Sequence, residues 1–405
     1  MKVCIVTTGA AAAEPRAVKQ ALALKARWPH LSVSLWDAVP RGEPAPDPAG
    51  LAPASIVRRR LEIPTRRRGT PELAVRKAAV ALARARFKRS GALSQGLFGV
   101  RAFGLAARLR AEAADVYVAH GIDALLPSSE AARALGARLV FDSMEYYADM
   151  GDRQSPLDRR AADALQSSLF PMCDLVLAAS DEIADRLSQE YPIERPIPLY
   201  NTPATEADLP ARSAEFSLYW RNYQIGFGQR GLDDALVALS QVPSDIKLYL
   251  QGRRPHDGGS VLAARLSELG VAERVIIKPP FATGGAVREA AAHSIGLCLE
   301  RSGPLNHELT VSNKMFDYLM AGLVVIASDL PGLRRIVERS GGGLLYTPGS
   351  PDSLAAAIRR LHADRGLLST LSGKARAYAL AVGNEDVDMK AFTDAMRGIL
   401  RLHAG

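Results

Sequence analysis

Short apolar runs rich in β-branched residues recur along the chain and alternate with segments in which apolar residues repeat at helical spacing. Such a run is typical of a strand that helices cover on both faces. The alternation therefore predicts an α/β fold with parallel sheets. The predicted strands are Val3 to Thr8, Leu31 to Trp36, Asp115 to Ala119, Leu175 to Ala178, Phe216 to Trp220, Ile246 to Leu250, Val275 to Ile277, Ile295 to Leu299, Val324 to Ala327 and Leu344 to Tyr346.

Two stretches interrupt this alternation. Residues 40 to 72 are rich in proline and arginine, with Arg58-Arg59-Arg60 and Arg66-Arg67-Arg68, and predict a long loop or insertion. Residues 191 to 205 are proline-rich and have the composition of a stiff linker. We therefore expect a first domain over residues 1–205, with a loop and helical insertion at about 40–114, a second domain over 206–380, and a C-terminal helix over 381–405.

Composition places the chain among ordinary globular proteins. It has 405 residues, of which 48% are hydrophobic and 23% charged, enough for two or three domains. Three cysteines are scattered singly, which excludes a disulfide framework or a zinc motif. The N-terminal MKVCIVTTG leads directly into a strand, and no apolar stretch approaches the roughly 18 residues that span a membrane. We expect a cytoplasmic protein, soluble or peripheral at the inner face of the membrane.

Positive charge is concentrated in the first domain. Residues 1–120 contain 21 Lys and Arg against 8 Asp and Glu, a balance of +13 in a chain whose net charge is +8. Basic residues interleaved with apolar ones over residues 58–110 suit an anionic membrane surface. A charged acceptor and a merely solvated helix face are the alternatives. Nothing resembles a module that reads nucleic acid, so we expect no nucleic-acid partner.

One helix start predicts an anion site. Ser312 can cap a helix whose first turn holds Asn313 and Lys314, and Gly322 is placed to end it in a left-handed conformation. The free N–H groups of the first turn and the Lys314 ammonium would bind a phosphate. Asp317 lies on the same helical face, where a carboxylate can accept hydrogen bonds from a ribose diol. The alternative is that Ser312 is only a cap and that both charges are solvated.

A family resemblance favours the first interpretation. SNKMFDYLMAGLVVIASDLPG, continued by IVERSGGGLLYTPGSPDSLAAAIRRL, resembles the C-terminal signature of retaining glycosyltransferases with the GT-B fold, of the family 4 type. The resemblance implies two Rossmann-like domains facing across a cleft, with a C-terminal helix that crosses back to the first domain. It implies a hexosyltransferase that moves a sugar from a nucleotide diphosphate-sugar to an acceptor hydroxyl, with retention, in bacterial surface polysaccharide, exopolysaccharide or glycolipid synthesis. The acceptor would be a saccharide or a lipid-linked molecule.

The resemblance also implies a donor site in the second domain. Arg221 and Arg230, the latter followed by Gly231-Leu232, correspond to two basic side chains that grip the diphosphate together with Lys314, although the gap between the two arginines is longer than in the family. The base would lie near Gly252 and the ribose on Asp317. Since these cations replace a metal and no Asp-x-Asp stands at a strand end, we expect neither a metal nor another cofactor.

The sugar-side carboxylate departs from the family pattern. The family carries two glutamates eight positions apart, and the second corresponds to Asp317. Counting back eight gives Leu309, so either Glu308 acts from a loop that has slipped by one residue or the carboxylate is missing. We assign Glu308 as a catalytic residue. Glu300 is the alternative carboxylate, which we expect at a strand end facing the cleft.

In the first domain the candidates follow strands. Gly9 follows the first strand, although it is a single turn glycine without the dinucleotide fingerprint, and His120 ends the strand that begins at Asp115. In Asp142-Ser143-Met144-Glu145, methionine stands where histidine is common in the family, so that position cannot carry a proton. Because sites in parallel sheets gather at the carboxyl ends of strands, we assign His120 a catalytic role and Gly9, Asp142 and Glu145 to the acceptor side.

Two other functions fit the same resemblance. A nucleotide-sugar 2-epimerase has this fold, and a catalytically silent GT-B partner protein would account for Met144 and the displaced Glu308. The fold by itself implies no activity. The sequence thus predicts a glycosyltransferase, with these two alternatives open.

Overall fold

The computed structural model describes residues 1–44, 46–66, 69–151, 154–227, 230–255, 257–280 and 284–400, without the side chain of Thr70. Its residues divide into two compact units. The first comprises Met1–Leu199 together with the chain from Met389 onward, and the second comprises Tyr200–Asp388.

Seven parallel strands form the sheet of the first unit: β1 (Lys2–Val6), β2 (Ser32–Pro40), β3 (Val57–Ile63), β4 (Val116–His120), β5 (Arg138–Ser143), β6 (Leu175–Ala178) and β7 (Ile197–Pro198). Their order in the sheet is β3-β2-β1-β4-β5-β6-β7, so the direction of winding reverses between β1 and β4. Six helices accompany them: α1 (Pro15–Arg27), α2 (Thr70–Ser90), α3 (Leu105–Glu112), α4 (Ile122–Leu135), α5 (Pro156–Leu169) and α6 (Asp181–Glu190).

The second unit has a six-stranded parallel sheet: β8 (Ser217–Gln224), β9 (Lys247–Arg253), β10 (Val275–Lys278), β11 (Ile295–Cys298), β12 (Val324–Ser328) and β13 (Gly343–Tyr346). The order is β10-β9-β8-β11-β12-β13, with the reversal between β8 and β11. The helices of this unit are α7 (Leu232–Ser240), α8 (Ser260–Glu268), α9 (Ala286–Ala291), α10 (Leu305–Leu309), α11 (Asn313–Met320), α12 (Pro331–Ser340), α13 (Pro351–Ala363) and α14 (Arg365–Ala381). Two all-parallel Rossmann-like sheets confirm the predicted fold class.

The C-terminal helix α15 (Glu385–Leu400) returns to the first unit. Its apolar side chains Phe392, Met396 and Leu400 are fully buried and join the core around Val3 and Ile5 of β1. Their spacing of four residues puts them on one face of the helix. The last helix therefore completes the hydrophobic core of the unit that the N-terminus begins, as the resemblance implied.

Part of the predicted loop at residues 40–72 is a strand. β3 pairs in parallel with β2 at the edge of the first sheet, and it contains Arg58-Arg59-Arg60. Burying the Arg58 side chain is tolerated because its guanidinium lies 2.5 Å from the Asp37 carboxylate of β2. Because three arginines follow one another in β3, this strand lacks the alternation of apolar and polar residues from which it could have been predicted. Arg67 and Arg68 of the second run lie outside the described residues.

None of the helices within the described ranges is both long enough and apolar enough to cross a membrane.

Gly296 in β11 provides a test of this packing. A Cβ there would overlap the buried ring of Tyr318 in α11, so we expect Gly296→Ala to lower the free energy of unfolding by about 1–3 kcal/mol, as overpacking does. Gly373→Ala in α14 is the matched control, because a Cβ there meets nothing within 4 Å. It should stabilise by up to about 1 kcal/mol. Urea unfolding measures both values, and equal effects would contradict this account of the packing.

Candidate active site

A buried carboxylate lies where the second sheet reverses direction. Glu300 follows β11 at its carboxyl end and is 2% exposed. Its Oε1 is 3.0 Å from Lys314 Nζ, and its Oε2 accepts a hydrogen bond from Arg230 Nη1. Burial alone would raise the pKa of Glu300, but the two cations outweigh it and lower the pKa to about 2. Glu300 is therefore an anion that holds two of the predicted phosphate-binding side chains.

A close backbone approach positions Arg230. The next residue, Gly231, has a φ of +61° at the start of α7, and a Cβ on it would lie 2.5 Å from the carbonyl oxygen of Leu299. Only glycine accepts both that conformation and that proximity. The Trp220 indole N–H donates to the Arg230 carbonyl at 2.9 Å and fixes the same segment. The Arg-Gly-Leu motif thus brings an arginine beside the residue that follows β11.

The start of α11 has the features of an anion site. Ser312 occupies the predicted N-cap position, but its side chain makes no capping hydrogen bond. Its Oγ is buried and has no hydrogen-bond partner within the part of the chain that the structure describes. Lys314 lies in the first turn and is only 6% exposed. A buried hydroxyl without a partner carries a desolvation cost that a ligand oxygen would remove, next to the free N–H groups of the helix.

Two more predicted donor residues are in contact with each other. The Asp317 carboxylate accepts a hydrogen bond from Arg221 Nη2, and the Arg221 main-chain N–H donates to the Tyr318 hydroxyl at 3.2 Å. Arg221 lies on β8, so both strands flanking the reversal contribute to this region. At Gly252, on β9, a Cβ would overlap the carbonyl of Asn222. Asn313 follows Ser312 and is exposed.

Glu308 bonds to the chain segment just before its own helix. Its carboxylate accepts hydrogen bonds from Ser302 Oγ at 2.5 Å and from the Gly303 N–H at 3.3 Å, which fastens it to the loop before α10. The carboxylate that contacts the cations is Glu300, the alternative to Glu308 in the sequence prediction. Its position directly after the buried run of β11 was the signal that favoured it. A catalytic role for Glu308 stays a prediction.

In the first unit His120 and Asp142 meet in the interior. The Asp142 carboxylate accepts from Arg16 Nε at 2.7 Å, from Arg16 Nη2 at 2.6 Å and from Gln20 Nε2 at 2.6 Å. Burial opposes the charge of Asp142, yet Arg16 and His120 keep its pKa below the ordinary value. The structure thus gives Asp142 a set of partners on α1, and its expected contact with an acceptor stays a prediction.

His120 is neutral in this network. Gln20 donates its amide N–H to Asp142, so its oxygen is the acceptor for His120 Nε2–H at 3.1 Å. His120 Nδ1 lies 3.7 Å from Asp142 Oδ2. Complete burial of the ring lowers the pKa of His120 to about 4. This effect is larger than the opposing effect of the neighbouring Asp142 carboxylate. A neutral, buried imidazole suits a positioning role better than proton transfer to a ligand.

The first unit contains two further carboxyl groups, those of Glu14 and Asp123, that the sequence analysis did not predict as site residues. A Cβ on Gly9 would overlap the Glu14 carboxyl, and Thr8 Oγ1 donates to Asp123 Oδ2. Burial, with help from the charge of Asp123, raises the pKa of Glu14 to about 7. Both carboxyl groups follow the strands at which the first sheet reverses direction, β1 and β4. The sequence analysis assigned neither of them a role, and the topology relates them.

Glu145 is half-buried just beyond β5. The Ser143 hydroxyl donates to its main-chain carbonyl at 3.0 Å, which holds the turn. Its assignment to the acceptor side stays a prediction.

No group of three or more His, Cys, Asp or Glu side chains within the described residues is arranged to hold a metal ion. The expectation that no metal is needed stays a prediction.

Comparison with known proteins agrees with this geometry. Residues 225–364, which contain Arg230, Glu300, Ser312, Lys314 and Asp317, match the family described as Glycosyl transferases group 1. No curated protein matches the chain.

Solved structures match over nearly the full length. HepE from Anabaena in complex with UDP superposes with a TM-score of 0.73 at 16% identity, covering 98% of this chain and 100% of HepE. Sucrose-phosphate synthase from Thermosynechococcus elongatus gives 0.70 at 14% identity, covering 99% of each chain. WaaG, a glycosyltransferase involved in lipopolysaccharide biosynthesis, gives 0.64 at 14% identity, covering 100% of both. At these identities the likeness shows the GT-B fold.

The domain match adds the class of enzyme. A glycosyl transferases group 1 domain on a GT-B fold makes this chain a glycosyltransferase, and therefore a transferase enzyme.

Glu14 gives a test of the first unit. Because the pKa of Glu14 is raised in the folded state, its contribution to stability is full below its ordinary value of 4.5 and is lost as the pH rises through about 7. Glu14→Gln should therefore gain stability relative to the wild type between pH 5 and pH 8. Urea unfolding at both pH values measures this difference. Glu43→Gln, at an exposed site, is the control, and an equal response of the two variants would contradict the assignment.

Proposed function

We propose that this enzyme transfers a sugar from a nucleotide diphosphate-sugar to an acceptor hydroxyl, with retention at the anomeric carbon, in the manner of family 4 glycosyltransferases. The acceptor is a saccharide or a lipid-linked molecule of bacterial surface polysaccharide or glycolipid synthesis. No metal or other cofactor takes part. The observation that carries the proposal is the pair of cations on Glu300, one of them in the same helix start as Ser312, whose buried hydroxyl has no partner among the described residues.

The cations are suited to a diphosphate. Arg230 presents a planar fork that contacts two phosphate oxygens, and Lys314 adds a point charge at the start of α11. In the unliganded protein both are held by Glu300, which keeps them in place without leaving a buried charge unpaired. A diphosphate that arrives at Ser312 and the first turn of α11 shares these cations with Glu300.

The same groups favour the chemistry. Negative charge accumulates on the leaving diphosphate as the glycosidic bond breaks, so cations that are already oriented stabilise the transition state more than the ground state. Asp317 forms an ion pair with Arg221, which supports a ribose-binding role for the carboxylate beside a phosphate-binding role for the arginine. The solved complexes of HepE with UDP and with UDP-glucose support a uridine nucleotide as the first donor to test.

The first unit serves the acceptor. His120, neutral and buried, positions the carboxyl end of β4 through Gln20 and Asp142. Glu308 lies in α10 and holds the loop before that helix, and its catalytic contribution would come from this position.

An exposed face of α2 suits a peripheral location at the membrane. Val75 and Leu82 are 63% and 71% exposed, and Lys77, Lys88 and Arg89 are exposed on the same helix. A helix that exposes both apolar side chains and cations can contact an anionic bilayer. The enzyme would thereby reach a lipid-linked acceptor.

Donor binding gives the main test. UDP-, GDP- and ADP-sugars are compared by thermal unfolding, and the true donor at 100 times its dissociation constant should stabilise the protein by about 2.7 kcal/mol. Replacing the whole ionic cluster, Arg230→Gln with Glu300→Gln and Lys314→Met, avoids an unpaired buried charge. Because two charge-assisted contacts are lost, it should weaken donor binding at least about 100-fold.

The control pair is Asp329→Asn with Arg334→Gln, an exposed ion pair of the same unit, which should leave donor binding unchanged. Undiminished binding to the cluster variant would refute the diphosphate site. The enzyme is incubated with donor and acceptor, and NMR of the product determines its anomeric configuration. Isomerised donor would indicate an epimerase, and donor binding without turnover would indicate a silent partner protein.

Membrane binding is tested with vesicles of phosphatidylglycerol and phosphatidylcholine. We expect sedimentation with the anionic vesicles only. Lys77→Glu, Lys88→Glu and Arg89→Glu together should weaken it at least about 100-fold, since each basic residue contributes about 1 kcal/mol. Arg359→Glu, Arg360→Glu and Lys374→Glu, exposed residues of the second unit, change the net charge equally and serve as the control. Equal losses in both variants would show a net-charge effect and contradict a specific face.

A further inference from the structure

The first unit contains a cavity of about 290 Å³, and none of the site residues assigned above lines it. It lies between α2, the turn after α2, α4 and α5. Its volume equals about ten water molecules, at the lower end of the range for small-molecule sites. The lining is mainly apolar: Val80, Leu97, Phe98, Ile122, Met150 and Ala162.

The charged and amide side chains at this cavity already have partners within the protein. Arg84 Nη1 lies 2.5 Å from Asp158 Oδ1. Gln154 uses both ends of its amide: Nε2 donates to the Tyr147 carbonyl at 2.6 Å, and Oε1 accepts from the Met150 N–H at 2.9 Å. A polar ligand group inside would have to break these bonds, so the cavity favours an apolar group.

Tyr147 connects the cavity to the end of β4. Tyr147 lines the cavity, and its hydroxyl oxygen lies close to Gly121. A Cβ added to Gly121 would be 3.5 Å from that oxygen and 3.3 Å from Asp123 Oδ1. The residue as a whole is only 8% exposed. Burial, assisted by the charges of Glu145 and Asp123, raises its pKa, so the hydroxyl keeps its proton. A protonated hydroxyl at the edge of the cavity can donate a hydrogen bond to an oxygen of a bound ligand.

The position agrees with the topology. Ile122, which lines the cavity, is the first residue of α4, and Gly121 follows β4 directly. This is the carboxyl edge at which the first sheet reverses direction, where α/β sheets bind ligands.

We propose that this cavity binds an alkyl chain of the acceptor, while the Tyr147 hydroxyl donates a hydrogen bond to an oxygen of the hydroxyl-bearing head group beside Gly121. The inference rests on the proposed function, since it names the chemical class of the acceptor as an alkyl glycoside or a comparable lipid-linked sugar. Phe98 and Met150 offer the chain an aromatic face and an adaptable thioether.

Alkyl β-D-glucosides are the probes. Binding of the methyl, butyl and hexyl compounds to the full-length protein, without donor, is measured by calorimetry. Each added methylene that enters the cavity should tighten binding about fourfold, so hexyl should bind about 15-fold more tightly than butyl. Equal affinities along the series would overturn the proposal.

Val80→Phe fills the cavity, and Val75→Phe puts the same side chain on the exposed face of the same helix. We expect the chain-length dependence to vanish in the first variant and to persist in the second. Tyr147→Phe should weaken all three glucosides about fivefold without changing that dependence. A chain-length dependence that survives Val80→Phe would overturn the assignment.

A second measurement needs no cavity variant. The methyl resonance of Met150, assigned by Met150→Leu, should shift with hexyl glucoside and not with methyl glucoside, and equal responses would count against the cavity. Nucleotide-sugar binding is measured separately on the same samples. Its absence would overturn the proposed function, whereas the glucoside series alone decides the cavity, so the two failures are distinguishable.

Discussion

The second unit depends on one ionised carboxylate held away from water. Burying Glu300 is unfavourable by itself, and it becomes tolerable because Lys314 and Arg230 converge on it. The convergence uses three separate elements: the end of β11, the glycine turn before α7 and the first turn of α11. Each cation is thereby oriented before any ligand arrives, which reduces the entropy lost on binding.

Both units follow the same structural logic. In each, the strand order reverses once, and polar side chains follow the strands beside the reversal. The first unit places Glu14 and Asp123 there, and His120 and Asp142, near the ends of β4 and β5, bond to Gln20 and Arg16. The second places Glu300 there, with the cations Arg230 and Lys314 paired to it. The charges differ, since a carboxyl pair suits hydroxyl groups whereas a cation pair suits phosphate.

Local patterns predicted many elements well. The strand from Leu175 to Ala178 has the predicted bounds, and Gly322 has a φ of +71° after α11, as a left-handed helix end requires. There the Leu323 N–H donates to the Tyr318 carbonyl at 2.9 Å and satisfies an end carbonyl. Such features depend on neighbours in the chain. β3 was missed because a salt bridge to another strand, absent from any local pattern, offsets the burial of Arg58.

The sequence by itself predicted the fold class and the start of helix α11, and it named Lys314, Asp317 and Arg230 as candidates for donor binding. Only the tertiary structure decided which carboxylate joins the cations and that His120 is an interior residue. The reason is that Arg230 and Glu300 stand 70 positions apart and meet through the edge of a sheet, whereas Glu308, much nearer in sequence to Lys314, bonds to its own loop. Spacing along the chain does not encode distances that strand order creates.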